Sequence, residues 1–206
     1  MTSRPTYAQA SKALLRNSLL DALRDLLVDR DWSAITMTHV AKAAGVSRQT
    51  VYNEFGSRYG LAQAYALRIA GTFATHVSVA IEENVDDIHG ALYAGFSDFF
   101  ARSGEDPIIR SLLAGDANID LLKLITTDAA PLITTASNTL TTSFTTSWLQ
   151  LAEVDAVRIA RAVTRMAMSY VAMPPEGDRD VASDLAEVMG PAIAAVYHGN
   201  SVASGH

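Results

Sequence analysis

The chain contains no cysteine in its 206 residues. That excludes disulfides, a thiolate nucleophile and any Cys-zinc site. No apolar run approaches the length of a membrane span, and the N-terminus is polar, without the apolar stretch of a secretory leader. The expectation is a cytoplasmic protein with no membrane partner. Histidine is scarce: His39, His76, His89, His198 and His206 never stand three or four residues apart, so no helical metal pair can form. There is no G-x-S-x-G, no phosphate loop and no dinucleotide fingerprint. The acid pairs Glu82-Glu83 and Asp86-Asp87 are adjacent, so they point in different directions and read as a solvated helix end. These absences imply no metal, no cofactor and no enzyme. Sustained β-alternation, hairpin turns and internal repeats are missing as well.

What is present is a large apolar fraction, 49% of the residues, enough for a sizeable core in one or two domains. The net charge of −6 is unevenly spread. Residues 1–60 hold eight Lys and Arg against five Asp and Glu; the remainder holds eight against seventeen. A weakly basic head on an acidic body suits a nucleic-acid reader whose phosphate contacts are moderate in number.

Residues 36–55, TMTHVAKAAGVSRQTVYNEF, organise that head. Thr36 can cap a short helix, and Val40, Ala41 and Ala44 share one face of it. Gly45 suits a left-handed helix end. Ser47 can cap a second helix, with Val46 and Val51 as a hydrophobic staple. Val51 and Phe55 then look inward, while Arg48, Gln49, Tyr52 and Asn53 cluster outward with Thr50 on the flank. Arginine can bridge O6 and N7 of guanine, and Gln or Asn can pair with N6 and N7 of adenine. This is the chemistry of a recognition helix in a DNA major groove. An ordinary helical hairpin with a solvated polar face is the plainer alternative.

The run T-M-T-H-V-A-K-A-A-G-V-S-R-Q-T-V-Y-N-E-F-G-S-R-Y-G-L resembles the helix-turn-helix of the TetR (tetracycline-repressor) family of bacterial regulators. The match covers residues 10–62. It includes Thr36, Ala41, Ala44-Gly45-Val46-Ser47, Thr50, Tyr52, Phe55, Ser57 and Leu61. Gln49 stands where many members have Gly, Glu54 where His or Tyr is common, Arg58 where Lys is usual, and Asp31 where Gly is frequent. Gln49 adds a long reading group, and Glu54 would repel a nearby phosphate. The resemblance implies DNA contacts from Thr36, Thr38, Ser47, Arg48, Gln49, Thr50, Tyr52, Asn53 and Arg58.

Along the chain, residues 1–9 read as a mobile arm in which Arg4 could touch DNA, and 10–29 as a helix with a stripe from Leu14 to Leu27. Trp32 reads as a plug of the small core. Gly56 closes the recognition helix, Ser57 caps a long one over 57–83, and Arg58 near its start could meet a phosphate. Helices follow over 87–103, from Asp106-Pro107 to near Gly115, over 117–127, from Pro131 to about Leu151, and over 153–173. Pro174-Pro175-Glu176-Gly177 breaks the series. Asp178 or Asp180 opens the last helix, to about Tyr197, kinked at Gly190-Pro191.

The fold class is therefore all-α, about nine helices in total. A three-helix head spans 1–56, a helical effector-binding and dimerisation body 57–198, and a tail 199–206. Phe96, Phe99, Phe100, Leu112, Leu113, Trp148, Met166, Tyr170 and Met173 either fill a core or line an apolar cavity. By resemblance, they form an effector pocket, and the last two helices build a homodimer through Val157, Arg161, Val163, Val181, Leu185, Val188 and Val196. The function implied is a dimeric repressor that binds double-stranded operator DNA and is released by a small apolar effector, lipid-like or fatty-acid-like. The alternative is a helical protein that sequesters a hydrophobic ligand without sequence-specific DNA binding.

Overall fold

The computed structural model describes residues 6–113, 119–173 and 179–203. Among them are ten α-helices, one 3₁₀ turn and no strand. Arg4, Gly115, Pro174-Pro175-Glu176-Gly177 and Asp178 lie outside the described residues.

Helix α1 (Tyr7–Asp29) starts earlier than expected. Thr6 and Gln9 close a capping box, the Gln9 amide donating to Thr6 Oγ1 at 3.3 Å and the Thr6 amide to Gln9 Oε1 at 2.8 Å. The T-x-x-Q spacing satisfies two otherwise free N–H groups, so the chain is helical from Tyr7 rather than an arm. Leu19, Leu20, Leu23 and Leu27 are buried, whereas Leu14 is 71% exposed. At 100° per residue Leu14 falls opposite Leu19 and Leu23.

A 3₁₀ turn (Trp32–Ala34) carries the fully buried Trp32 into α2 (Met37–Ala43) and α3 (Arg48–Phe55). Asp31 is extended at φ −66°, not left-handed, so its replacement of glycine carries no strain. Helix α4 (Arg58–Glu83) has 26 residues, about 39 Å at 1.5 Å per residue. Its first turn sits hard against α3. A Cβ on Gly60 would lie 2.1 Å from the Phe55 carbonyl oxygen, so only glycine fits.

The body continues with α5 (Ile88–Glu105), α6 (Pro107–Leu113), α7 (Ile119–Ile125), α8 (Ala130–Thr146), α9 (Glu153–Ala172) and α10 (Val181–Ala203). Asp180 begins α10, its Oδ1 accepting from the Ser183 amide at 3.1 Å. The helix runs past Tyr197 with Pro191 inside it, so part of the expected tail is helical. Helix α8 stops at Thr146, short of Leu151. Ser147 is extended there, and Gln150 turns left-handed at φ 42°.

Two hydrophobic clusters hold these helices. One joins α1, α2, α3 and the first half of α4 to Ile108, Ile109 and Leu112 of α6 and Leu121 and Leu124 of α7. The other joins the second half of α4 to α5, α8, α9 and α10 around Phe96, Leu140, Phe144 and Val163. The head's core thus includes two short helices from the middle of the chain, and α4 runs through both cores.

Candidate functional site

The head places a polar face on α3 by local rules. Thr36 Oγ1 accepts from the His39 amide at 3.3 Å and starts α2. Gly45, at φ 68°, turns the chain in the left-handed region that a side chain disfavours. Ser47 Oγ accepts from the Thr50 amide at 3.1 Å and starts α3. Val51 and Phe55 are buried beneath, at 0% and 9% exposure. Thr36, Thr38, Ser47, Arg48, Gln49 and Asn53 are exposed, with Thr50 and Tyr52 half-buried.

The polar side chains of this face are held in pairs one turn apart. Arg48 Nη2 donates to Tyr52 Oη at 3.1 Å, with its guanidinium 5.1 Å from that ring's centre. Gln49 Nε2 donates to Asn53 Oδ1 at 2.8 Å. A guanidinium and an amide are thus braced toward solvent, which limits the side-chain entropy a binding partner would cost them.

Two expectations about charge change. Glu54 was expected to repel phosphate, but Arg16 of α1 donates to its Oε1 at 2.7 Å and its side chain is only 8% exposed. The Arg16 guanidinium also lies 5.0 Å from the Phe55 ring centre. Arg58 does not reach toward a phosphate. Its guanidinium stacks 4.1 Å from the Trp32 ring centre and donates to the Trp32 carbonyl. Burial pulls this group below its ordinary pKa, with the Asp120 charge opposing. It locks α4 onto the head core. Lys12 belongs to no motif, yet it shares a shallow groove with Thr50, Asn53 and Glu54. Its spacing of four from Arg16 on α1 was the available signal.

The body holds an apolar cavity of about 90 Å³. Ile108, Ile109, Leu112, Leu121 and Leu124 line it from the head's core; Phe73, Phe99, Ala136 and Ala167 line it from the body's. It therefore sits on the seam between the two clusters. Of the residues expected to form a pocket, Phe99 and Leu112 reach this wall. Phe100, Leu113 and Tyr170 face a separate recess beside Val181. Phe96 is buried in the body's core, stacked on Phe100 at 5.9 Å. Trp148 Nε1 donates to the Ile81 carbonyl at 2.7 Å, and its ring meets Tyr197 edge-on. Met166 and Met173 are 37% and 78% exposed. The rest of this wall comes from α6, α7, α8 and the neighbouring turns of α4 and α9.

Among the residues expected at a dimer surface, Val163 and Leu185 are buried in the subunit's own core, at 0% and 2% exposure, and cannot face a partner. Each lies on the same side as small residues, Ala160 and Ala186, that seat its helix against the body core. Arg161 is exposed, Val188 is 73% exposed, and Val157, Val181 and Val196 are half-buried.

Three side chains tie α4 to its neighbours. Tyr59, in the first turn of α4, donates its hydroxyl to Asp128 in the turn between α7 and α8. Burial, then the hydrogen bond and charge of Asp128, push the Tyr59 phenol up to about 12. Tyr65 donates to Asp106 Oδ2 at 2.9 Å, joining α4 to the start of α6. Arg68 donates to Asp21 Oδ1 at 2.6 Å and to the Leu20 carbonyl at 3.1 Å, joining α4 to α1.

Residues 19–65 match the model for bacterial regulatory proteins of the tetR family, and residues 87–191 that for a bacterial tetracyclin repressor C-terminal domain. The chain is 56% identical over 185 residues to the HTH-type transcriptional regulator AlkX of Mycobacterium tuberculosis (strain ATCC 25618 / H37Rv), covering 90% of this chain and 88% of that protein. It superposes on the crystal structure of the TetR family repressor AlkX from Dietzia sp. strain DQ12-45-1b, implicated in biodegradation of n-alkanes, with a TM-score of 0.82, 42% identity and coverage of 88% and 96%. A regulator from Streptomyces coelicolor shares the fold alone, at 18% identity, a TM-score of 0.54 and coverage of 88% and 81%. No helix among the described residues is long and apolar enough to cross a membrane.

Proposed function

The chain belongs to the TetR family of transcriptional regulators, and on that footing we propose that it is a dimeric repressor released from its operator by an apolar chain lodged between its two cores. The observation that carries this reading is the cavity whose walls come from both hydrophobic clusters. The AlkX relative implicated in biodegradation of n-alkanes favours a hydrocarbon or fatty-acid-like effector.

In this reading α3 enters the major groove. Arg48, Gln49 and Asn53 read base edges, while Thr36, Thr38, Ser47, Thr50, Tyr52 and Lys12 meet the backbone. Two heads related by a two-fold axis engage successive grooves about 34–36 Å apart. The dimer forms on the outward sides of α9 and α10. Exposed Arg158, Arg161 and Arg165 on α9 complement exposed Asp184 and Glu187 on α10, with Val188 and Met166 supplying apolar area.

A chain entering the seam bears on α6 and α7. Displacement of α7 pulls Asp128, and through it Tyr59, at the turn where Gly60 abuts the end of α3. The head spacing then changes. The effector must bind the DNA-incompetent state more tightly, or nothing shifts. Linkage supplies the test. Octane and octanoate, as hydrocarbon and fatty-acid-like probes, are titrated with and without an operator recovered by binding-site selection. The constants should differ by the same factor that either ligand changes operator affinity. Equal constants would overturn the mechanism, and failure of selection to enrich any duplex would favour ligand sequestration without DNA reading.

A further inference from the structure

A buried hydroxyl without a partner carries an uncompensated desolvation cost. Thr164 of α9 is such a group. It is 1% exposed, it lines the apolar cavity, and its Oγ1 has no hydrogen-bond partner. Several helical threonines bond within their own helix. Thr75, Thr141 and Thr146 each donate to the carbonyl four residues back, at 3.0, 2.7 and 2.8 Å. Thr164 does not.

Its surroundings define what could satisfy it. The remaining wall is hydrocarbon, apart from the thioether of Met168, and no charged side chain contributes to it. A carboxylate placed there would be a buried, unpaired charge. A hydrocarbon would leave the hydroxyl as it is. We infer that the cavity is fitted to an uncharged chain ending in a single hydrogen-bonding oxygen, a primary alcohol, with that oxygen on Thr164. Helical threonine has two accessible χ1 rotamers, so rotation about one bond can aim the hydroxyl at a bound chain. The hydroxyl can donate or accept, as can an alcohol. This rests on the effector reading above and narrows it from any apolar chain to a neutral, mono-oxygenated one.

The test uses the full-length protein, wild type, T164V and T164S, titrated calorimetrically with octanol, octane and octanoate. Valine keeps the shape and removes the hydroxyl; serine keeps the hydroxyl. Octanol should bind about three- to tenfold more weakly to T164V, the loss of one neutral hydrogen bond. Octane should bind both proteins alike, T164S should retain the octanol affinity, and octanoate should be the weaker of the two oxygenated probes. Ligand-free T164V should also melt higher, since the unpaired hydroxyl is gone. An octanol affinity unchanged in T164V, or octanoate binding tighter than octanol, would overturn the inference. Either result leaves the cavity as an effector site so long as octane still binds and weakens operator binding. If none of the three probes binds wild type, the cavity reading fails and the inference with it.

Discussion

The head and the body of this chain use polar groups in opposite ways. On α3 the polar side chains are exposed and bonded to one another, Arg48 to Tyr52 and Gln49 to Asn53. At the cavity the one hydroxyl in the wall is buried and bonded to nothing. A surface that reads DNA must offer donors and acceptors at no cost to the fold. A cavity is defined by atoms that are missing. The same kind of substitution should therefore register as lost affinity in one region and lost stability in the other.

The largest contrast is expected at Phe99. Its ring is 8% exposed, packs 4.3 Å from Phe73 and 5.4 Å from Phe100, and forms part of the cavity wall. Phe99→Ala should lower unfolding stability by about 3–5 kcal/mol, read from urea denaturation. A loss below about 1 kcal/mol would mean that the site collapses easily and that the two regions differ little.

Arg48→Ala sharpens the other side of the comparison. It should cost about 1–3 kcal/mol per half-site and relax base preference at one position, with the melting temperature unchanged. Binding-site selection on the variant decides the point, since an undiminished preference would remove Arg48 from base reading. Arg58→Ala should behave like a body substitution instead. Its guanidinium sits on Trp32, so stability falls and base preference does not change.

How much could be read from the sequence follows the same division. The turn around Gly45, the caps Thr36 and Ser47, and the inward Val51 and Phe55 are settled by contacts within about twenty residues, where periodicity and capping rules apply. Arg58 and Glu54 escaped those rules because their partners, Trp32 and Arg16, lie 26 and 38 residues away. The cavity was less legible still. An apolar residue looks the same in sequence whether it fills a core or borders a void, and helical phase decides only which side of a helix is buried. Thus Phe99 reaches the wall while Phe96, one turn earlier, is packed in the core. Leu121 and Leu124 carried no signal that α7 would join the head's cluster.

Tyr59 tests whether the regions communicate. Tyr59→Phe removes the hydroxyl that donates to Asp128 and should cost about 0.5–1.5 kcal/mol of stability. Its larger effect should be on linkage: saturating effector should weaken operator binding less than in wild type, as read by fluorescence anisotropy of a labelled duplex. Because the folded phenol is pushed up to about 12 from an ordinary 10.0, its contribution is fully present below pH 10 and is lost as pH rises through 12.

The smallest effect is confined to the body. Asp98 of α5 accepts from Arg102 Nε one turn along, at 2.8 Å, and pairs with His76 of α4. Burial alone would raise this carboxyl, but the Arg102 hydrogen bond and the His76 charge together hold it below its ordinary 3.8. A depressed carboxyl stabilises the fold above its unfolded pKa and loses that contribution as pH falls through the folded value. Asp98 is 40% exposed, so solvent screens the pair and the contribution is about 0.2–1 kcal/mol. Melting curves between pH 6 and pH 3 should separate wild type from Asp98→Asn above pH 4 and bring them together below it. The α4–α5 contact beside Phe99 would then weaken in acid. Curves that do not separate above pH 4 would show that the Asp98 charge adds nothing to the fold.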